Sequence, residues 1–484
     1  MKDLQDSIKK YGIITPVIVR PRKEGYYEII SGHRRIFAPE KLGYRKVPTI
    51  IRYMTDDQAV IAMVDSNLQR ERIQPSEKAF AYKMKYDATR KTTVDAWREF
   101  RNKCSKRALV IMPVQTGELR EFAIKNNLFV LNLNKELGDA GAGQNISLLE
   151  EVLAWLEPNA PVYGWEQGVS EDQFVARVSK SGHPMIPCDW SYNHSLLSLL
   201  YEKGREQVLP RIFDPRSIDF KKKKNFVSFF LSDGDNIQWM MQDFASRYYD
   251  VPEAEDVKMT FGLPVATLAM MAPVQFNNLM GLHKQNCSLM EMLGGGYYYV
   301  DTYSQDNNRK TNLRVAAKRL AVSMRQYQIK LLGIMAMDVK SEAAKEAYQV
   351  YVDANDQLEG IVVLQYSPYA GGEGEVFWVT NKAGYDIPVI TVKYSLWDRI
   401  HEREGSPDFI ASKLKEEAQE ESFSVVCVHA WSRFEGDTYG ASAAKRCAER
   451  LDDRFEAINM EELVWRLRMS RRPEQTLDYL NKIY

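Results

Sequence analysis

Acidic residues follow several apolar runs of the chain, and this placement is the first indication of chemistry. The run FVSFFL at residues 226–231 is followed by the turn SDGDN, which carries Asp233 and Asp235. Glu166 follows the run PVYGW, and Asp189 follows PMIPC. Two carboxyl groups near one reacting bond can act as general acid and general base when one is held protonated and the other stays charged. Because Asp-Gly is also a common turn dipeptide, a purely structural role for the SDGDN turn is the alternative.

Close carboxylates can also bind a metal ion, because Ca²⁺ and Mg²⁺ prefer oxygen ligands. A divalent cation near Asp233 and Asp235 is therefore an alternative to acid–base chemistry, although DGDN lacks the other ligands of an EF-hand loop. Imidazole nitrogens could join such a site only if folding brings His194 and His429 close to it. Two further acids could be site residues, helix caps or exposed loop charges: Asp338 and Glu373.

Aromatic residues at the ends of apolar runs indicate a surface for a ring-shaped ligand. Tyr and Trp also fill protein cores, so only some of the set should contact a ligand. The set comprises Trp165, Trp190, Trp239, Tyr297, Tyr299, Tyr366 and Trp431. The motif GGGYYYV at residues 294–300 lacks the third glycine of a nucleotide fingerprint, and no clear strand precedes it. Its glycines predict a tight loop that presents the tyrosines. His429, beside Trp431, is either a core histidine or part of the site lining.

The segments that would position these residues alternate between apolar runs and helical patterns from residue 96 onward. The apolar runs are ALVIMPV, FVLNLN, PVYGWE, PMIPCDW, NFVSFFL, MTFGLPVA, KLLGIMAMD, GIVVLQYS, PVITVKYS and SVVCVHAW. Because they lack clean alternation, they predict strands buried on both faces, as in a mainly parallel α/β sheet or a barrel-like closure. The carboxyl ends of such strands share one edge, so the acids that follow them should gather there.

The composition excludes several classes of protein. The 484 residues exceed the usual size of one domain, and 45% hydrophobic with 27% charged residues are atypical of disordered or fibrous chains. No run approaches the about 20 apolar residues of a membrane span, and the start MKDLQDSIKKYGI lacks the apolar part of a signal peptide, which predicts a cytoplasmic location. Five cysteines, far apart and odd in number, predict neither a disulfide framework nor a metal-type pairing.

Charge divides the chain into two pieces. Residues 1–91 contain 19 basic and 11 acidic residues, a net charge of +8, so the remaining 46 basic and 54 acidic residues give −8. A basic segment favours a polyanionic partner such as nucleic acid. Its patterns predict a small α+β domain: a helix ended by Gly12, the strands ITPVIVRP and YYEIIS, a helix from GHRRIFA to Gly43, the strand VPTIIRYM and a helix at residues 56–68.

The blocks YGI-PVIVRP, YEIISGHRRIFA, LGY-VP-II and SNLQRERIQPSEKAFAYKMK occur in this order. Together they resemble the amino-terminal domain of ParB-like chromosome- and plasmid-partition proteins, especially versions carried on mobile elements. The resemblance implies binding of nucleotide phosphates, CTP with Mg²⁺ in well-studied members, coupled to sliding on DNA. The implied nucleotide-binding residues are Gly32, Arg34, Arg35, Asn67 and Arg70. Guanidinium forks and open backbone N–H groups at a helix start suit phosphate, and a solvated basic face is the alternative.

The same segment departs from the ParB pattern. His33 stands where the family usually has Glu, and Ser66 stands where a metal-holding carboxylate is usual. The segment begins at the first helix, without the strand that precedes it in the family, and no helix-turn-helix pattern follows Arg90. We therefore expect a truncated ParB-like domain that lacks the DNA-reading and dimerising parts, so its DNA partner stays an open expectation.

The motif GGGYYYV, taken with SDGDNIQW and SVVCVHAWS, resembles the Bacteroidota family that is named after its GxGYxYP motif and described as proposed glycoside hydrolases. The final proline of the motif is Val300 here. This resemblance covers roughly residues 96–470 and implies an α/β part at 96–215 and a C-terminal domain at 216–484. The ParB resemblance implies the remaining domain, at 1–91. Family members are normally exported and carry a longer N-terminal region, so two origins of this chain stay open: a chimera formed by insertion of a mobile element, and an artefact of gene calling.

Glycoside cleavage uses two carboxylic acids on opposite sides of the scissile bond. The expected catalytic groups are Asp233 or Asp235, with Glu166 or Asp189 as the partner. The expected sugar-binding residues are Tyr297, Tyr299, Trp190, Trp239, His429 and Trp431. Two other functions stay open: a carbohydrate-binding protein without catalysis, and a CTP-dependent DNA-partition protein. The glycosidase reading implies no cofactor beyond the divalent cation considered above.

Overall fold

The computed structural model describes residues 2–23, 25–68, 96–111, 119–131, 146–165, 170–188, 191, 193–200, 209–233, 236–293, 295–305, 308–401 and 404–484. The described residues up to 104 form one compact unit, and those from 105 onward form a second. Within the described ranges, no helix combines the length and the apolar character needed to cross a membrane.

The first unit is a small α+β fold. Its elements are α1 (Lys2–Tyr11), β1 (Val17–Pro21), β2 (Tyr27–Ser31), α2 (His33–Glu40), β3 (Thr49–Ile51) and α3 (Asp56–Leu68). Strand β1 is central, antiparallel to β2 and parallel to β3. Val17, Val19 and Ile30 of this sheet are buried, together with Ala38 and Val64 from the helices. The unit therefore has the strand and helix order that its sequence patterns predict.

The second unit begins with a small parallel sheet. Its elements are β4 (Ser105–Ile111), α4 (Arg120–Lys125), β5 (Leu128–Leu131), α5 (Ile146–Trp155), β6 (Val162–Gly164), α6 (Glu171–Lys180), β7 (Met185–Ile186) and α7 (His194–Leu197). The strand order is β5-β4-β6-β7, and every neighbouring pair is parallel. Parallel neighbours need a crossover connection, which explains the alternation of strands and helices.

A larger sheet follows in the same unit. Its elements are β8 (Asn225–Leu231), α8 (Ile237–Met240), α9 (Pro252–Asp256), β9 (Thr260–Leu263), α10 (Val265–Met271), α11 (Pro273–Leu282), β10 (Ser288–Met292), α12 (Arg309–Gln326), β11 (Leu331–Ala336), α13 (Glu342–Ala354), β12 (Gly360–Gln365), β13 (Val376–Thr380), β14 (Asp386–Thr391), β15 (Tyr394–Leu396), α14 (Pro407–Glu416), β16 (Ser422–Val428), α15 (Gly440–Glu449), β17 (Phe455–Ala457), α16 (Met460–Arg471) and α17 (Pro473–Ile483).

The strand order of the large sheet is β13-β14-β12-β11-β10-β9-β8-β16-β15, with β17 added beside β8. All neighbours are parallel except β13 and β14. The sheet curls into a half-barrel. All residues of β8, β10 and β11 are buried, as expected for strands covered on both faces. The predicted α/β class with a mainly parallel, barrel-like sheet is confirmed.

One sequence prediction about this sheet is wrong. Strand β10 directly precedes the GGGYYYV motif, where the sequence showed no clear strand. Its segment SLMEM is short, and Glu291 interrupts the apolar run. In the fold, Glu291 is fully buried and its Oε2 accepts a hydrogen bond of 2.9 Å from the Ala266 backbone N–H, at the start of α10. A core strand that contains a buried carboxyl with such a tertiary partner therefore looks like a polar segment in the sequence.

Candidate functional site

Asp233 lies directly after β8, at the edge where the parallel strands of the large sheet end. We call this edge, together with the start of α6 from the small sheet that contacts it, the C-terminal rim. Its backbone is left-handed, with φ of 63°, a conformation that Asp tolerates better than most residues. Asp233 Oδ2 accepts hydrogen bonds from the Ser232 hydroxyl and, at 3.2 Å, from the Ala430 N–H after β16. Oδ1 accepts from the Tyr369 hydroxyl at 3.4 Å. Three hydrogen bonds therefore fix the position of this carboxyl group.

The GGGYYYV motif joins the two sheets of the second unit. Tyr297 pairs with Met185 of β7, and Tyr299 pairs with Met335 of β11. Gly296 makes the first pairing possible, because a Cβ at this position would lie 2.7 Å from Pro184 Cβ and 2.8 Å from the Met185 carbonyl oxygen. The predicted tight loop that presents tyrosines therefore has a steric reason.

Glu171, the first residue of α6, meets the motif at the rim. Its Oε1 accepts a hydrogen bond of 3.0 Å from the Tyr297 hydroxyl. The surrounding protein desolvates the carboxyl and raises its pKa, although part of the residue stays exposed; the nearby charges of Asp233 and Asp172 raise the pKa further, while the Tyr297 bond opposes them. The fold therefore favours the protonated form of Glu171 more than water does.

Four tyrosines span the distance between these two acids, and we call them the tyrosine arc. They are Tyr297, Tyr299, Tyr366 and Tyr369. Successive ring centroids lie 5.7, 5.7 and 6.2 Å apart. The first hydroxyl bonds to Glu171 and the last to Asp233. Burial, together with the charges of Glu171, Asp172 and Asp233, raises the pKa of Tyr366. The arc therefore carries neutral hydroxyl groups between two carboxyl groups.

His429, at the end of β16, closes the rim next to Asp233. Its Nε2 lies 3.9 Å from Asp233 Oδ2. The imidazole stacks on Trp397 with a centroid separation of 4.0 Å and an interplanar angle of 5°. Burial lowers the pKa of His429, while Asp233 and Asp398 act in the opposite direction. The imidazole is therefore neutral near pH 7.

Two tryptophans of the predicted sugar-binding set occupy different environments. Trp239 is buried and packs edge-on against Phe244 and Tyr248, with centroids 4.7 and 4.8 Å away. Trp431 is 45% exposed, and its centroid lies 4.7 Å from that of Trp239. Trp239 thus supports Trp431, which presents its ring to solvent two residues after His429.

The other predicted site residues have the following places. Tyr297 and Tyr299 are almost fully buried, and Trp165 stacks on Tyr297 with centroids 6.4 Å apart. Asp338 accepts from the Lys340 N–H and so shapes a turn, and Glu373 is an exposed acid paired with Lys340 at 3.7 Å. Five predicted residues lie outside the described ranges: Asp235, Glu166, Asp189, Trp190 and Arg70.

A metal at the rim stays a prediction. In the part of the chain that the structure describes, no group of three or more His, Cys, Asp or Glu side chains is placed to hold a metal ion. His194 does not join the acids at the rim: it lies edge-on to Phe122, and burial lowers its pKa to about 4. The acid Asp235, which would have to contribute, is outside the described residues.

The first unit positions part of its predicted phosphate site. Gly32 precedes α2 with φ of 106°, and Arg34 is exposed. Arg35 instead donates to the carbonyl oxygens of Thr15 and Pro16 at 2.7 and 2.8 Å. Ser66 Oγ lies 2.6 Å from Ser31 Oγ. Asn67 belongs to α3. Of the three predicted arginines, Arg35 therefore has a structural task, and Arg34 projects into solvent.

Sequence reasoning missed three residues of the rim: Glu171, Tyr369 and Trp397. Glu171 gave a usable signal, since it is an acid that follows a predicted strand at the start of a helical pattern. Tyr369 gave a weaker one in the aromatic run QYSPY after β12. Trp397 follows the short strand β15, which the sequence pattern merged with β14. Each became recognisable only when the strand ends met.

A curled parallel sheet with acids and aromatic rings at the C-terminal rim defines an α/β protein with an enzyme-like site. The family model described as "GxGYxYP putative glycoside hydrolase C-terminal domain" matches residues 223–468, and that described as "GxGYxYP third domain" matches residues 106–199. The chain belongs to the GxGYxYP family. The model of the ParB N-terminal domain matches residues 1–68.

Individual proteins resemble different parts of the chain. A structure of a putative hydrolase from Bacteroides thetaiotaomicron VPI-5482 has a TM-score of 0.65 and 16% identity, over 97% of this chain and 83% of that one. This likeness shows the fold. The nucleoid occlusion protein of Geobacillus sp. (strain WCH70) is 40% identical over 82 residues, which are 17% of this chain and 29% of that protein. The Bacillus cytotoxicus protein of the same name is 42% identical over 80 residues, 16% and 28% respectively. The chain thus spans under a third of these relatives.

Proposed function

We propose that the C-terminal rim hydrolyses a glycosidic bond, with Glu171 as the proton donor and Asp233 as its anionic partner. The observation that carries the proposal is the difference between the two acids. Desolvation and the charge of Asp233 raise the pKa of Glu171, whereas Asp233 is fixed by three hydrogen bonds. A carboxyl with a raised pKa suits the proton donor, and a carboxyl fixed by three hydrogen-bond donors is a candidate for its partner.

In the proposed reaction, the Glu171 carboxyl gives its proton to the glycosidic oxygen while the bond to the anomeric carbon breaks. Asp233 stabilises the positive charge that develops on the sugar ring, and it acts as base for a water molecule or as nucleophile. The net change is addition of one water molecule across the bond. Tyr297 positions Glu171 through its 3.0 Å hydrogen bond.

Sugar binding is assigned to the exposed face beside His429. The ring of Trp431 is 45% exposed and rests on the buried Trp239. Rigid, amphipathic rings of this kind stack on the C–H faces of sugars. The buried Tyr297 and Tyr299 would act through their hydroxyl groups, because their ring faces are covered by protein.

The test is hydrolysis of a panel of aryl glycosides and polysaccharides by wild type, Glu171→Gln and Asp233→Asn. Loss of either acid should lower kcat at least about 10²-fold. Glu342→Gln is the matched control, because Glu342 is also an exposed acid in the first turn of a helix that follows a parallel strand. For Glu171→Gln, the loss should shrink with a dinitrophenyl leaving group, which departs without a proton.

Three outcomes would overturn the proposal or one of its assignments. Wild-type rates in Glu171→Gln would exclude Glu171 as the proton donor. Activity that survives in Asp233→Asn but is lost in Asp235→Asn would assign the anionic role to Asp235. If calorimetry detects binding of the same sugars while no glycoside is cleaved, a carbohydrate-binding protein without catalysis replaces the enzyme.

A second candidate function belongs to the first unit alone. Gly32 leaves the start of α2 without a capping side chain, and Arg34 is exposed next to it; a helix start beside a guanidinium suits a phosphate group. We expect CTP with Mg²⁺ to bind by titration calorimetry, and Arg34→Ala to weaken it. The matched control is Arg52→Ala, which removes an exposed arginine after β3. Absence of CTP binding, together with absence of salt-dependent DNA binding, would exclude this function.

A further inference from the structure

His429 has one ring nitrogen tied to the protein and one aimed at the proposed site. Nδ1 lies 2.9 Å from the Ser432 hydroxyl oxygen. Nε2 lies 3.9 Å from Asp233 Oδ2, which is too long for a hydrogen bond. The position of the ring proton, on Nδ1 or on Nε2, therefore determines whether Nε2 accepts or donates a hydrogen bond.

The partners of Ser432 determine where that proton lies. The Ser432 hydroxyl accepts from the Asp398 backbone N–H at 3.1 Å and donates to Asp398 Oδ1 at 3.1 Å. A hydroxyl has only one hydrogen. If that hydrogen pointed at His429 instead, the hydroxyl oxygen would face the Asp398 carboxylate with no proton between them. The Ser432 hydroxyl forms its stronger hydrogen bond with the charged carboxylate. Nδ1 of His429 must therefore be the donor to Ser432.

Asp398 is itself held in place for this task. Its Oδ2 accepts a hydrogen bond of 2.9 Å from the Arg433 N–H, which leaves Oδ1 for Ser432. Ser432 is fully buried. Asp233, Asp398 and Arg399 are the charged groups that act on the imidazole, and burial, the largest influence, lowers the pKa of His429. The neutral ring then carries its single proton on Nδ1.

We propose that Asp398 and Ser432 hold His429 in the Nδ1–H form, so that Nε2 and Asp233 Oδ2 together accept hydrogen bonds from two hydroxyl groups on adjacent carbons of a sugar. A site edge built only of acceptors selects donors, and two acceptors 3.9 Å apart suit a vicinal diol. The identity of the ligand rests on the proposed function; the tautomer does not. Asp398 and Ser432 are positioning residues in this arrangement.

Asp398→Asn tests the tautomer with an almost isosteric change at an exposed residue. The carbonyl oxygen of Asn would keep the Arg433 N–H, and its NH₂ group would donate to the Ser432 hydroxyl. The hydroxyl hydrogen would then turn to Nδ1, which forces the proton of His429 onto Nε2. Long-range ¹H–¹⁵N spectra of histidine-labelled protein report the protonated nitrogen directly. We expect Nδ1–H in wild type and Nε2–H in Asp398→Asn.

Asp437→Asn is the matched control, because it makes the same change at an exposed residue of the following loop. It should keep the wild-type tautomer. An Nε2–H tautomer in wild type, or an unchanged tautomer in Asp398→Asn, would overturn the proposal whether or not the protein cleaves any glycoside. Conversely, failure of every glycoside to react would remove the proposed function and leave the tautomer assignment in place.

The ligand is tested on the same labelled protein. Methyl glycosides of the panel sugars should move the Nε2 resonance of wild type and Asp437→Asn, and a deoxy sugar that lacks one of the two hydroxyls should move it less. Asp398→Asn should show no such response. A response to none of the glycosides would overturn the assignment to sugar hydroxyls. A stoichiometric response to Zn²⁺ or Mn²⁺ that is lost in His429→Asn would also overturn it, because Nε2 would then be a metal ligand.

Discussion

Replacing Gly296 by Ala should damage the protein more than the same change at its neighbour Gly295. Both glycines have left-handed backbones, with φ of 119° and 78°. A Cβ on Gly295 would meet nothing within 4 Å, whereas one on Gly296 would lie 2.7 Å from Pro184 Cβ and 2.8 Å from the Met185 carbonyl oxygen. Gly295→Ala therefore isolates the backbone contribution, and Gly296→Ala adds the steric one.

The two contributions have separate magnitudes. A left-handed backbone costs an L-residue about 1–2 kcal/mol. Forcing a methyl group into packed surroundings adds about 1–3 kcal/mol. We expect Gly295→Ala to lower the free energy of unfolding of the second unit by about 1–2 kcal/mol and Gly296→Ala by about 2–5 kcal/mol. Because the clash falls on the pairing of Met185 with Tyr297, Glu171 should also lose its hydrogen-bond donor.

Urea unfolding monitored by tryptophan fluorescence measures the global difference, and hydrogen exchange at the Met185 and Tyr297 amides measures the local one. These amides bond to the opposite carbonyl oxygens across the pairing, at 2.9 and 2.5 Å. Gly296→Ala should speed their exchange, and Gly295→Ala should leave it nearly unchanged. Equal stability losses in the two variants, with equal protection of both amides, would refute the steric role of Gly296.

Three further outcomes are expected. Glu171 acts protonated in the proposed reaction, so kcat should fall as pH rises through its raised pKa; Tyr297→Phe removes the hydrogen bond that lowers this pKa, which should move the fall to higher pH. Burial raises the pKa of Glu291 to about 8, so the folded state holds a proton that the unfolded state releases near pH 4.3. The free energy of unfolding should therefore decline as pH rises from about 4.3 to 8. In denaturant titrations, Glu291→Gln should flatten that decline. Trp431→Ala should weaken sugar binding in calorimetry without a change in stability, whereas Trp239→Ala should cost about 3–5 kcal/mol; equal stability losses would contradict the different exposures of these rings.

The fold was largely predictable because most strands of the large sheet are buried on both faces and form nearly unbroken apolar runs. Strand β8 and the position of Asp233 at its end follow from that pattern alone. Strand β10 did not, because Glu291 interrupts its apolar run, and the hydrogen bond from the Ala266 N–H to Glu291 Oε2 is a tertiary contact that local sequence cannot show. Patterns of apolar residues thus identify strands well except where a buried polar group has a tertiary partner.

The site was predictable in type but less so in its members. Acids are common in the first turn of a helix, because the helix dipole stabilises a negative charge there. Nothing in the local sequence therefore distinguishes Glu171 from Glu342. Its environment comes from Tyr297, which lies 126 residues further along the chain. In the same way, Trp239 and Trp431 are one residue type near two predicted strand ends, and only packing buries the first and exposes the second.

The contacts that build the rim join segments far apart in sequence. The bond between Tyr369 and Asp233 spans 136 residues, and that between Ala430 and Asp233 spans 197. Each such closure carries an entropic cost that must be met before the contact contributes. The rim should therefore assemble late in folding, after the individual strand–helix pairs. Partly folded chains would then be inactive even with most secondary structure in place, so recovered activity after refolding would count completed molecules rather than compact ones.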